Sequence, residues 1–566
     1  MGKTNNPIIL GGSDPFTHML CVGPTRCGKT STILLPMIYQ LLVQKKRGKA
    51  LGLSVIEPKG DLAWEVKEFC DAMDIPYVYL DPDSPDTDYF NVMEGDEDSV
   101  VEATVAVLQS MFGKQEAFFA TVQELSTRNV TRLLKQLKGD DLTLLDVLST
   151  LRDENLLKQH LEDLREKVGN TDLISFFDNE LLGALADQYR KLVVGLRAQL
   201  ENMTSNTKLR RIIGQKSSIN LDKHLNEGGV LIVNTALGTL KKAGDAFGMF
   251  VNMHLQSATF RRPGTEKTRI PHYMIIDEYS RYINPDVEMF LSVAASYRVA
   301  GIFAIQSLGQ LEIESGKIGP KAMKQAIMTS CRNKIAFCGL SATDAKEFAD
   351  EFGKDMVTMR QSTYKNRILL PKWFPESYRD TETEEYRFRP TYLQDQMRRF
   401  HFICRMLNDG TPQNPIEGVG TFVPRNWQEL REWEVPKEIH EIEHSEKQSQ
   451  SLVKRWLKRA PSKQADESVS LLVVDPQNQN ERAYAENHAI LMGQGKVLEQ
   501  PKVEPQDATI IEPQAKTIQI TEIEVSQPNE SSLEQGPVKV AEQPIIKPKQ
   551  KIVEAPVWDD NEDDFF

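Results

Sequence analysis

Eight residues, Gly23 to Thr30 (GPTRCGKT), have the types and spacing of a loop that grips phosphate. They fill every fixed position of the pattern G-x-x-x-x-G-K-[ST]. Backbone N–H groups of such a loop converge on phosphate oxygens, and the helix that follows adds the positive end of its dipole. The motif assigns nucleotide contact to Gly23, Pro24, Thr25, Arg26, Cys27, Gly28, Lys29, Thr30 and Ser31. Lys29 would reach the β- and γ-phosphates of ATP, and the Thr30 hydroxyl would ligate Mg²⁺.

The complementary chemistry lies far downstream, in His272 to Ser280 (HYMIIDEYS). Tyr273 to Ile276 reads as a buried strand with Asp277 and Glu278 at its carboxyl end, the edge at which open α/β sheets bind ligands. Asp277 would hold Mg²⁺ directly or through water. Glu278 would polarise the attacking water. Alone, the pair also fits a strand that ends in two solvated acids. Joined to the loop, it favours hydrolysis over transfer to a small molecule, because a water needs a base.

These groups need a sheet and helices to position them. Met19 to Val22 reads as a strand before the loop, and Thr32 to Leu35 can open a helix after it. Further apolar runs read as strands at 51–56, 78–80, 229–234, 301–306 and 333–337. From about Asp96 to Gln215 the spacing turns helical, with Val193, Leu196 and Leu200 on one face. The expectation is an α/β nucleotide-binding domain in two parts, 1–95 and 216–438, with an all-helical insertion at 96–215. The last segment, 439–566, is rich in Gln, Glu, Pro and Lys, and reads as a disordered acidic tail. Within it, Leu452 to Ala460 (LVKRWLKRA) could form a short basic helix, and Val557 to Phe566 is an acidic tip that carries aromatics at both ends.

With 566 residues, 40% hydrophobic, the chain can build a sizeable core. Its six cysteines lack CxxC spacing, which points away from a zinc site or disulfide framework. The net charge of −13 sits mostly in the tail. From Glu441 onward there are 14 basic and 23 acidic residues, net −9, which leaves −4 for the rest. A near-neutral body neither requires nor excludes a basic channel for nucleic acid. The longest membrane-like run, Ile33 to Val43, is too short to span a bilayer and contains Pro36 and Gln40.

Four further segments form an ordered set. Ser54 to Leu62 (SVIEPKGDL) resembles the D-P-K-G-E-L signature of type IV secretion coupling proteins, the TraG/TraD-like conjugation ATPases. Asp88 to Met93 (DYFNVM) resembles that family's N-P-L stretch. Asp277 to Tyr279 stands where the family has D-E-F, and Ile305 to Leu311 (IQSLGQL) is similar to its I-Q-S-x-x-Q-L. The resemblance spans roughly residues 7–427. It implies a RecA-like P-loop ATPase that assembles as a homo-hexamer and passes relaxase-bound single-stranded DNA to a type IV secretion channel. It also implies that Gln306 senses the γ-phosphate. Arg298 (in ASYRVAGIF) is the candidate for reaching a neighbouring subunit's nucleotide. Lys59 would contact phosphate, or bridge Glu57 or Asp61.

Two departures matter. Glu57 and Asp61 exchange the signature's carboxylates. Family members usually open with two membrane-spanning helices, whereas here the loop strand begins at residue 19. The expected location is therefore cytoplasmic, at the inner face of the membrane, with a separate protein as anchor. The competing readings are an ATP-binding scaffold that recruits protein cargo and a channel energiser that moves protein only.

Overall fold

The computed structural model describes residues 8–112, 117–183, 186–314, 318–363 and 377–434. The expected tail, 439–566, with its basic helix and acidic tip, lies outside the described residues.

The seven strands expected from apolar runs all form, and all are parallel: β1 (Met19–Val22), β2 (Gly52–Glu57), β3 (Val78–Leu80), β4 (Val230–Asn234), β5 (His272–Ile276), β6 (Val299–Ile305) and β7 (Asn333–Phe337). Parallel strands need cover on both faces, so their sequences read as unbroken apolar runs. Alternate residues feed two cores. Leu20 and Val22 point to one face with Ile56, Leu231 and Val233. Met19 and Cys21 point to the other with Leu53, Val55 and Ile232.

On the second face lie helices α1 (Leu35–Lys46) and α2 (Asp61–Met73), which contribute Ile38, Leu42, Val66 and Phe69. On the first lie the helix Lys242–Phe260 and the insertion. Among the described residues the insertion comprises seven α-helices, from Glu97–Met111 to Thr207–Ile213, all between β3 and β4. Its Val193, Leu196 and Leu200 are buried in the shared core, as their 3.6-residue spacing implies.

Two features carried no clear sequence signal. The sheet gains two antiparallel strands beyond β7, and two ten-residue strands form a separate ribbon. In chain order the ribbon strands are β8 (Lys354–Thr363) and β9 (Ser377–Tyr386), and the sheet strands are β10 (His401–Arg405) and β13 (Ile416–Val419); β11 (Leu407–Asn408) and β12 (Thr411–Pro412) make a small hairpin between the latter two. The full sheet order is β13-β10-β7-β1-β6-β5-β2-β4-β3. The chain leaves β1 and crosses two strand positions to reach β2. The carboxyl end of β1 therefore lies at a switch in connection direction, where such sheets open a crevice.

Candidate active site

β1 delivers the loop to this crevice. Gly23 N–H still bonds Ile305 O, at 3.2 Å, so the loop starts in register with β6. Gly23 cannot carry a side chain: a Cβ there would lie 2.6 Å from Phe337 Cβ and 2.8 Å from Cys27 Sγ. Arg26 and Gly28 have left-handed φ of +64° and +115° and turn the backbone inward. The first helical turn, Lys29–Leu34, is wound wide, with Leu35 N–H reaching the carbonyl of Thr30, five residues back. Pro36 explains the widening, because it has no N–H to give an ordinary α-helical partner.

Lys29 is buried, and its Nζ donates to Gly23 O (2.5 Å) and Pro24 O (3.1 Å). The ammonium thus curls over the mouth of its own loop on weak neutral acceptors, for which a phosphate can compete. Thr30 Oγ1 donates to Asp277 Oδ2 at 2.7 Å across 247 residues of sequence. The other oxygen, Asp277 Oδ1, accepts from Glu278 N–H at 2.9 Å. Glu278 adopts a left-handed conformation, φ +51°, that costs a non-glycine residue energy and turns its carboxylate off the strand end. Gln306, just past β6, donates Nε2–H to Glu278 Oε1 at 2.7 Å, while its Oε1 accepts from Thr25 Oγ1 at 3.3 Å. The strand order β1-β6-β5 puts Gln306 between loop and acids.

The structure therefore brings together Lys29, Thr30, Asp277, Glu278 and Gln306, beside the loop residues Gly23, Pro24, Thr25, Arg26, Cys27, Gly28 and Ser31. An oxygen pair of one hydroxyl and one carboxylate, with Asp277 only 4% exposed, suits Mg²⁺. Arg298 is elsewhere. It precedes β6, at the amino edge of the sheet. Its guanidinium lies 4.5 Å above the Phe16 ring, Nη1 bonds Ser13 Oγ at 3.3 Å, and Glu266 is 3.8 Å away. The Lys59 side chain is exposed.

Glu57 has a larger part than the sequence reading gave it. Its carboxylate accepts backbone N–H groups from Lys59 (2.8 Å), Gly60 and Ala63 (3.3 Å), and so shapes the turn into α2. Burial pushes its pKa up to about 7, those three donors oppose the shift, and the Asp277 charge adds to it. The only available signal was its place in the SVIEPKGDL stretch. A second missed region is the segment on either side of β10 and β13. Phe400 and Gly420 lie against Gly28 and Thr32. Neither carried a motif.

Residues 271–400, which include the acidic pair and Gln306, match a family model described as the TraM recognition site of TraD and TraG. No curated protein matches the chain. Among solved structures, the bacterial conjugative coupling protein TrwBdeltaN70 in its unbound monoclinic form aligns at 15% identity, with a TM-score of 0.52 over 73% of this chain and 87% of that one. The plasmid coupling protein TrwB in complex with ADP and Mg²⁺ aligns at 16% identity, with a TM-score of 0.52 over 73% and 88%. The fold is thus the RecA-like fold of that coupling protein, and the matched segment agrees with it: the chain resembles the TraG/TraD-like coupling proteins, as its ordered motifs imply.

Proposed function

We propose that this chain is an ATP-hydrolysing coupling protein that recruits relaxase-bound single-stranded DNA and feeds it to a type IV secretion channel. The observation that carries the catalytic part is the pair of 2.7 Å contacts, Thr30–Asp277 and Gln306–Glu278. They join three segments far apart in sequence at one sheet edge. The likeness to TrwB and to the TraD/TraG segment supports the coupling role.

In this reading the loop N–H groups and Lys29 hold the phosphates, and Lys29 exchanges its carbonyl acceptors for the γ-phosphate. Thr30 and Asp277 would hold Mg²⁺, which when bound would offset the negative charge of the phosphates. Glu278 accepts the proton of the attacking water. Gln306 aims that carboxylate, and through Thr25 it links the base to the loop, so occupancy at the γ-position is felt at Gln306. Arg298 stands at the opposite edge of the sheet. In a head-to-tail hexamer such a residue serves its neighbour's site. Mixing Glu278→Gln with Arg298→Ala subunits should then restore activity that each lacks alone; a mixture no more active than its parts would confine Arg298 to its contact with Phe16.

Among the described residues no helix is long and apolar enough to cross a membrane. We place the protein in the cytoplasm, held to the inner face of the membrane by a partner. The deciding experiment is ATP hydrolysis with and without single-stranded DNA. Stimulation that fades steeply with salt marks a motor that tracks the phosphate backbone. Hydrolysis indifferent to DNA would favour the protein-only energiser, and binding without hydrolysis the scaffold.

A further inference from the structure

The chemistry proposed above uses the side of the loop that faces β5 and β6. The other side is also built. There the sheet continues through β7, β10 and β13. β10 runs antiparallel to β7, and β13 antiparallel to β10. Phe400, just before β10, and Gly420 to Phe422, just after β13, therefore arrive at the same carboxyl edge as the loop.

These residues press on the loop. A Cβ on Gly28 would lie 2.7 Å from Phe400 Cδ1, and one on Gly420 would lie 2.2 Å from Thr32 Oγ1. Gly420 N–H donates to Phe400 O at 2.9 Å. Phe400 holds a φ of +66°, a conformation unfavourable for an aromatic residue. Phe422 meets it edge-on, with centroids 5.1 Å apart and planes at 81°. Phe422 nonetheless remains 55% exposed. The Arg399 guanidinium lies 4.6 Å from the centre of the Phe400 ring.

The polarity of the site fixes which way a nucleotide lies. Its γ-end must meet Glu278 and Gln306 over β5 and β6, while the loop cradles the α- and β-phosphates. The nucleoside then leaves toward β7, β10 and β13. We propose that the base of the bound nucleotide is held there by Phe400 and Phe422, with Arg399 at their side. This rests on the nucleotide site proposed above and adds its base-recognition end. Aromatic rings and a guanidinium recognise the flat face of a base, which adenine and guanine share. The pair therefore holds either purine and discriminates little between them.

The test is titration calorimetry of ADP, GDP and inorganic tripolyphosphate against the wild-type chain, Phe422→Ala and Phe422→Trp. Phe422 is exposed, so its truncation leaves the core intact. Phe422→Ala should weaken ADP and GDP alike, by about tenfold or more. Phe422→Trp should bind both as the wild type does. Tripolyphosphate should bind all three proteins equally. Unchanged ADP affinity in Phe422→Ala, or an equal loss for tripolyphosphate, would overturn the proposal. A wild-type protein that binds neither ADP nor tripolyphosphate would instead remove the nucleotide site itself.

Discussion

The two edges of the parallel sheet are both lined with buried polar groups, yet they use them in opposite ways. At the carboxyl edge three charged side chains each have one replaceable kind of partner: Lys29 rests on carbonyls of its own loop, Asp277 on the Thr30 hydroxyl and Glu278 on the Gln306 amide. Such contacts can be exchanged for a ligand at little cost. At the amino edge the groups are mostly neutral and spent on backbone. His18 accepts Gly301 N–H at Nδ1 (2.9 Å) and donates from Nε2 to Leu291 O (3.0 Å), so its tautomer is fixed. Asn333 Nδ2 donates to Asp14 O and His18 O, each at 3.0 Å, and its Oδ1 accepts Leu407 N–H at 3.0 Å. Arg262 caps the carbonyls of Tyr297, Leu225 and Ile270. In the proposed function one edge reacts, while the contacts of the other hold the strands in place.

Removing a charge from the carboxyl edge should have the largest effect. Lys29→Ala should lower hydrolysis by about two to three orders of magnitude or more, because the lost stabilisation of the transferring phosphoryl group is roughly 3–4 kcal/mol or more. The melting temperature should barely move, since Lys29 bonds only carbonyls that the loop mouth can offer to water. A large loss of stability with modest loss of rate would make this edge structural after all.

The complementary change is at the amino edge. The Ser54 hydroxyl lies 2.9 Å from both His224 Nε2 and His272 Nε2, giving a hydrogen to one and taking one from the other. Ser54→Ala strands two buried ring nitrogens, at a cost of about 1–3 kcal/mol each. Chemical denaturation should show roughly 2 kcal/mol of lost stability or more, with hydrolysis per folded molecule unchanged.

A smaller and more graded effect is acid sensitivity. Burial lowers the pKa of His18 and His254 to about 4 and that of His224 to about 3, and it depresses His272 as well, from an ordinary 6.5. In the unfolded chain these rings take up protons below about pH 6.5, while folded His18 and His254 do not until near pH 4, His224 not until about pH 3, and His272 only well below its ordinary range. The unfolded state then binds more protons, so stability falls as pH drops through that window, by up to about 1.4 kcal/mol per pH unit for each histidine. Glu57, raised to about 7 from 4.5, opposes this with one group of reversed sign, since its stabilising protonated form is lost as pH rises. Melting curves from pH 7 to pH 4 should therefore show net proton uptake on unfolding. A flat profile would contradict the reading of these buried histidines as neutral in the folded chain.

The sequence made the carboxyl edge far more legible than the amino one. Phosphate binding and hydrolysis demand fixed residue types at fixed spacing, so Lys29, Thr30, Asp277 and Glu278 stood out before any strand was placed. Strands buried on both faces also advertise themselves, which is why β1 to β7 could be read from apolar runs. His18, Asn333 and Arg262 stayed invisible because a hydrogen bond to a backbone carbonyl demands no motif. β10 and β13 were hidden for a related reason. β13 is IEGV, with Ile416 and Val419 exposed, and it has no alternation to reveal it. The β8–β9 ribbon likewise mixes Met356, Val357 and Met359 with charged neighbours and exposes them, so no buried face marked its period. Phe400 and Phe422 became visible only once those antiparallel strands were placed beside the loop.

In the proposed mechanism Glu278, aimed by Gln306, is the base. Single-turnover hydrolysis of prebound ATP by Glu278→Gln tests it most directly. The variant keeps the side-chain shape and leaves Lys29, Thr30 and Asp277 in place, so ATP should bind with near wild-type affinity and remain uncleaved, with the rate down by about 10²-fold or more. Cleavage of bound ATP at the wild-type rate would contradict the assignment and move the base elsewhere in the site.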